Sequence, residues 1–190
     1  GGNSFNGNIT VNSTNGLGVY FCDNPAGTAT LATGKTISVG GTGFSAGSLV
    51  LQRFTQNGST AQNVTLTGTS TIFQTGPSSA WNGNLTVSSP SIFLNGATFN
   101  GTSSFTKTGT VTDASTGGNT FAGATTFTNS AIGVFRLANT SGDTFGSSAT
   151  FNQTSGTIQP AYASTSTFAG DINVTSSSTI TFGAGVGIVT

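Results

Sequence analysis

Residues 120–127 read TFAGATTF, and residues 144–151 read TFGSSATF. Nearly the same phrase returns 24 residues later, framed each time by phenylalanines six apart. Working outward, an aromatic followed six residues on by an apolar residue recurs in SFNGNITV (4–11), AWNGNLTV (80–87), TFNGTSSF (98–105) and TFAGDINV (167–174). Five of the six copies carry glycine two positions after the aromatic. Self-similarity at a period of this size is the mark of a repeat architecture.

Within each copy the apolar residues alternate. Ile172 and Val174 share one parity, while Asp171 and Asn173 share the other. Alternation with period two predicts a strand with one buried side. A second strand is expected about eight residues further on, in LGVYF (17–21), PSIFLNG (90–96), GVFRLA (133–138), GTIQPAY (156–162) and STITFGAG (178–185). Between residues 27 and 76 the aromatic phrase is missing, but KTISVGG (35–41) and QNVTLTG (62–68) keep the strand chemistry. No 3.6-residue stripe is present; glutamate and methionine are absent, whereas Thr, Val, Ile and Phe favour strands.

Two or three short strands per repeat, with tight Gly/Asn corners, describe one turn of a β-solenoid. A single turn cannot offset its ordering entropy with so few buried side chains, so each needs a neighbour above and below. The phrase recurs because each inward ring is expected to lie over its counterpart one turn away, about 4.8 Å along the axis. The expected fold is therefore all-β, a right-handed parallel β-helix of about eight coils of roughly 23 residues, forming one domain over 1–190. Two ladders are expected. The first comprises Phe5, Trp81, Phe99, Phe121, Phe145 and Phe168. The second comprises Val11, Ile37, Val64, Val87, Phe105, Phe127, Phe151 and Val174. A β-sandwich or barrel is the competing architecture, but it gives no reason for one phrase to return every turn.

Charge bounds the function. Four cations and four aspartates in 190 residues make 4% charged and a net charge of zero. Such a chain has no basic footprint for nucleic acid or an anionic membrane. Fifteen phenylalanines argue against disorder. No run of 18 apolar residues is present, so no membrane insertion is expected. Cys22 is a lone thiol without an intramolecular disulfide partner. The opening GGNSF reads as a mature piece or an excerpt. No polar cap is visible at either end, which predicts continuation into adjoining repeats or end-to-end stacking of copies.

The units TFAGATTF and NGNITV and the run GTATLATGKTISVGG resemble the large repetitive β-solenoid surface adhesins and filament proteins of gliding and other outer-membrane bacteria. The resemblance covers the whole chain and carries no catalytic motif. It implies an extracellular rod or filament at the cell surface, used for attachment, cohesion or movement.

The search for chemistry in the sequence is mostly negative. Histidine and glutamate are absent and the four aspartates are scattered, so no metal cluster, cofactor or base-activated serine is expected. Asp143 and Asp171 are 28 apart, off the repeat, and read as solvated or turn-capping residues rather than the carboxylate pair of a glycan-cleaving site. Asn3, Asn119 and Asp143, each two before an aromatic, read as turn formers in preference to a stacked amide ladder. Arg53 and Arg136 are expected to face outward, Lys35 and Lys107 carry no signature of a buried base, and Trp81 is expected in the core. The leading expectation is a non-enzymatic structural or adhesive segment, with copies of itself, adjoining repeats or surface glycans as partners. The alternatives are an ice binder presenting outward Thr pairs such as TTFT (125–128) and STST (164–167), and a polysaccharide-binding or -degrading β-helix.

Overall fold

A computed structural model describes all of residues 1–190. Each coil lays down up to three short strands, and every strand pair is parallel to its counterpart in the next coil. This is a β-solenoid without helix. The first sheet has eight strands, one per coil: Gly2–Phe5, Thr28–Leu31, Phe54–Gln56, Ala80–Trp81, Thr98–Phe99, Thr120–Phe121, Thr144–Phe145 and Thr167–Phe168. The second has six, running from Gln62–Thr65 to Ile172–Ser176, and the pair Ile9–Ser13 with Ile37–Phe44 occupies the same side below it. The third side is split into two four-stranded sheets, Val19–Phe21 to Ser91–Leu94 and Asp113–Ala114 to Thr179–Ile180.

The core fills the tube that these sides enclose. In the first sheet Trp81, Phe99, Phe121, Phe145 and Phe168 are consecutive ladder partners. The rings of Phe99, Phe121, Phe145 and Phe168 stack nearly parallel, with centroid separations of 4.9, 4.8 and 4.4 Å. The second sheet aligns Val64, Val87, Phe105, Phe127, Phe151 and Val174. Phe105, Phe127 and Phe151 stack at 5.5 and 5.6 Å. The two columns meet edge to face, as in the Phe121–Phe127 pair at 5.5 Å and 88°. Rings in such geometry gain about 0.5–1.5 kcal/mol per pair beyond the burial itself.

Two expected alignments are corrected. The first column does not pass from Phe5 to Trp81 directly: Phe5 pairs with Leu31, Leu31 with Gln56, and Gln56 with Trp81. The stretch lacking the aromatic phrase therefore still supplies the first-sheet strand, with other side chains in its inward seat. In the second ladder Val11 pairs with Val39, and Ile37 pairs with Ile9. A two-residue slip preserves the buried face, so hydrophobicity alone gives no sign of it. The same pair contains a register shift between Val11 and Ser13, where the chain bulges before Phe44.

Four of the five glycines two after the aromatic are required by close approach. A Cβ on Gly101 would lie 2.5 Å from the Gly83 carbonyl, and one on Gly123 would lie 2.4 Å from the Gly101 carbonyl. At Gly83, Gly101, Gly123 and Gly170 the corner rests on the backbone of the corner below, with no room for a methyl group, whereas Gly7 has open space and Ser147 takes the equivalent place in the seventh coil.

Candidate functional site

The chemistry-bearing side chains occupy three settings: a buried corner ladder, a buried ion pair and an uncharged outer face. The corner ladder lies two residues before the first-sheet inward seat. Here the Phe54 N–H donates to Ser79 Oγ at 3.2 Å, and the Ala97 N–H to Asn119 Oδ1 at 3.0 Å. The Asn119 N–H donates to Asp143 Oδ1 at 2.9 Å, and the Asp143 N–H to Ser166 Oγ at 3.1 Å. Asn119 Nδ2 adds bonds to the Leu94 carbonyl and to Asp143 Oδ1. The turn-former reading of Asn119 and Asp143 is thus corrected: both side chains are buried and satisfy the backbone of the neighbouring coil. The positive-φ residues of this corner sit one position earlier, at Arg53, Ser78, Gly96 and Gly118.

Asp143 is the one member of this ladder with an unsatisfied side-chain atom. Its Oδ2 is buried without a hydrogen-bond partner. Loss of hydration pushes its pKa up to about 6, against the lowering effect of the two bonds from Asn119.

The ion pair is formed by Lys107 and Asp113, both with fully buried side chains, Nζ to Oδ2 3.1 Å. Lys107 follows Phe105 on the inward side of the strand Ser103–Lys107. Its neighbours in that seat are Ser89 and Asn129, which bond to backbone around the corner. The ammonium also donates to the Pro90 carbonyl at 3.0 Å. Asp113 begins the upper part of the split third side. Its Oδ2 accepts the Ile92 N–H at 2.9 Å, and Ser115 Oγ accepts the Leu94 N–H at 3.0 Å. These side chains take over from backbone carbonyls where the two third-side sheets meet. Asp113 Oδ1 has no partner. Burial lowers the Lys107 pKa and raises that of Asp113, while their mutual attraction acts the other way. Of the aspartates expected to be solvated or turn-capping, Asp171 is exposed whereas Asp143 is buried; Asp113 is buried as well, and Asp23 is exposed.

The outer face of the second sheet carries two columns without a charged residue. Asn63, Thr86, Ser104, Thr126, Thr150 and Asn173 form one; Thr65, Ser88, Thr106, Thr128, Asn152 and Thr175 form the other. The first sheet adds an outward run of Thr98, Thr120, Thr144 and Thr167. Of the expected Thr pairs, Thr126 and Thr128 do face out, but Thr125 turns in to meet Ser103 Oγ at 2.8 Å, and Ser166 is buried in the corner ladder.

The remaining polar landmarks are structural. Trp81 is fully buried, its indole N–H donating to Thr75 Oγ1 at 2.9 Å. Arg53 is half-buried and folds back onto the carbonyls of Gly27 and Cys22, which corrects its outward placement. Arg136 lies 3.8 Å from the Tyr162 ring centroid and donates to Gln159 Oε1. Cys22 is a half-buried free thiol. No group of three or more Asp, Glu, His or Cys residues converges as a metal site, and no helix is long and apolar enough to cross a membrane.

Comparison with protein-family models, with curated proteins and with solved structures returns no match to this chain.

Proposed function

We propose that the chain is a structural and adhesive rod segment of an extracellular bacterial surface protein, extended by further coils stacked on its last one. The observation that carries this reading is the face of that last coil. Strand Ile172–Ser176 is the edge of the second sheet, and all five of its residues are exposed. Ile172 and Val174 continue the inward columns of Ala149 and Phe151, yet they are 39% and 50% exposed. An unpaired strand edge beside uncovered core residues is a template for one more parallel coil, supplied by adjoining repeats or by a second copy. The uncharged Ser/Thr/Asn sides suit a rod that meets surfaces through hydrogen bonds. Antibody labelling of intact producing cells tests the location. Surface label on intact cells, with loss of attachment on deletion of the gene, supports the proposal, and label only after lysis defeats it.

A second reading rests on the outer face of the second sheet. Its two columns repeat at the rung spacing of about 4.8 Å and present hydroxyl and amide groups on one side. Under this reading the face binds the surface of ice. Thermal hysteresis of the purified chain is the expected signature, and freezing at the equilibrium melting point removes it.

A further inference from the structure

We propose that Lys107 and Asp113 condense to form an intramolecular amide, a covalent cross-link buried in the fifth coil. The geometry before reaction already provides what the product needs. Lys107 Nζ lies 3.1 Å from Asp113 Oδ2, one C–O bond from the carbon it would attack. Of the two carboxyl oxygens, Oδ2 already accepts the Ile92 N–H, which suits a retained amide carbonyl. Oδ1 is the orphan without a partner, which suits the oxygen that departs. Nζ already faces the Pro90 carbonyl at 3.0 Å, which would receive the one hydrogen that the amide nitrogen keeps.

The chemistry balances without a further reagent. A proton passes from the ammonium to the carboxylate, giving a neutral amine and a neutral acid. Burial favours this exchange, since it lowers the pKa of one partner and raises that of the other. The amine lone pair then forms the Nζ–Cγ bond, the Ile92 N–H steadies the charge that develops on Oδ2, and the Cγ–Oδ1 bond breaks. Oδ1 leaves as water with the acid proton and one proton from nitrogen. Two groups held in contact react as though at an effective concentration of about 10⁵ M or more. The product replaces two buried charges and an orphaned oxygen with one satisfied amide, so the core itself drives the reaction.

Intact mass of the purified full chain, unfolded before measurement, tests the proposal. The expected mass is one water below that of the sequence, with trypsin unable to cut after Lys107 and tandem spectra joining the Lys107 and Asp113 side chains. Asp113→Asn is expected to form the same link with loss of ammonia in place of water. In Lys107→Met the full sequence mass should return. A full-mass wild-type chain whose Lys107 is cleaved and labelled by an amine reagent overturns the proposal. So does a missing water that maps to the Asp113–Ala114 backbone with Lys107 free, since that is a cyclic imide, and the imide survives in Lys107→Met.

Discussion

The coils from Phe99 to Phe168 and those from Phe5 to Trp81 share one ladder of parallel strands, but their insides differ. In the later coils the first-sheet seat holds phenylalanine four times running, with rings stacked nearly parallel. In the earlier coils the same seat holds Phe5, Leu31, Gln56 and Trp81. There the aromatic contacts step sideways to other positions, Phe5 to Phe21 at 5.5 Å, Phe21 to Phe54 at 5.8 Å and Phe54 to Trp81 at 5.3 Å. The register belongs to the backbone and the enclosed volume. The repeated phrase is one way of filling that volume, and the early coils use another.

The largest expected effect sharpens this contrast within one column. Phe127 has ring neighbours above, below and across, namely Phe105, Phe151, Phe121, Phe135 and Phe145. Phe127→Ala should cost about 3–5 kcal/mol, read from the denaturant midpoint. Val64 occupies the equivalent inward seat in an early coil. Val64→Ala removes two methyl groups and should cost about 2 kcal/mol. Equal losses would mean that the phenylalanine stack adds nothing beyond ordinary burial.

Next comes a gain. The corner ladder has an acceptor from Ser79 in the early coils and from Asn119, Asp143 and Ser166 in the later ones. Only Asp143 can ionise. Its folded pKa, raised to about 6 from 3.8, means that the folded chain binds this proton more tightly than the unfolded chain does. Stability is therefore full below pH 3.8, falls as pH rises toward 6, and stays reduced above it. Asp143→Asn keeps an oxygen for the Asn119 N–H and removes the buried charge. The variant should be more stable by up to about 3 kcal/mol at pH 7, and level with the wild type at pH 3. A wild-type Tm that does not fall between pH 4 and pH 7 would count against the burial of this charge.

Parity was the most legible signal in the sequence, and it was more reliable than residue chemistry. The alternation through SSFTK puts Lys107 on the same side as Phe105, and the structure keeps it there, at full burial. Lysine chemistry carries no signature of burial, and here the strand pattern alone states the answer. Asp113 was harder to find, because its role depends on Ile92, a residue 21 positions earlier whose N–H it caps. Leu31 and Gln56 were missed because the frame was anchored on aromatics, although the inward seat requires only bulk and satisfied polar atoms. The Val11–Val39 pairing was hidden because Ile37 and Val39 share a face. Thus the repeating coil could be read from sequence, while cross-coil pairing of unlike residues could not.

The glycine corners give a smaller effect that separates a stacked coil from an uncovered one. Gly101→Ala must displace the Gly83 backbone, at an expected cost of roughly 1–3 kcal/mol. Gly7 has the same place in its phrase, yet a Cβ there would meet nothing within 4 Å. Gly7→Ala should stay within about 0.5 kcal/mol of the wild type. Matching losses at both sites would assign the glycine requirement to the backbone conformation of the corner and not to the coil beneath it.

A small net effect of two opposing changes is expected at Gln56, where the two ways of filling the core meet. Its side chain is fully buried in the seat below Trp81, accepting the Gly83 N–H at 3.1 Å and donating to the Thr60 carbonyl. Gln56→Leu makes the seat apolar, as Leu31 does one coil earlier. The gain in apolar burial is about 1–2 kcal/mol, while the orphaned Gly83 N–H costs about 1–3 kcal/mol. The net change should be a loss of about 1 kcal/mol, with faster hydrogen exchange at the Gly83 amide as its local signature. A Gln56→Leu chain more stable than the wild type would mean that water reaches Gly83, and that the early coils tolerate polar filling without depending on it.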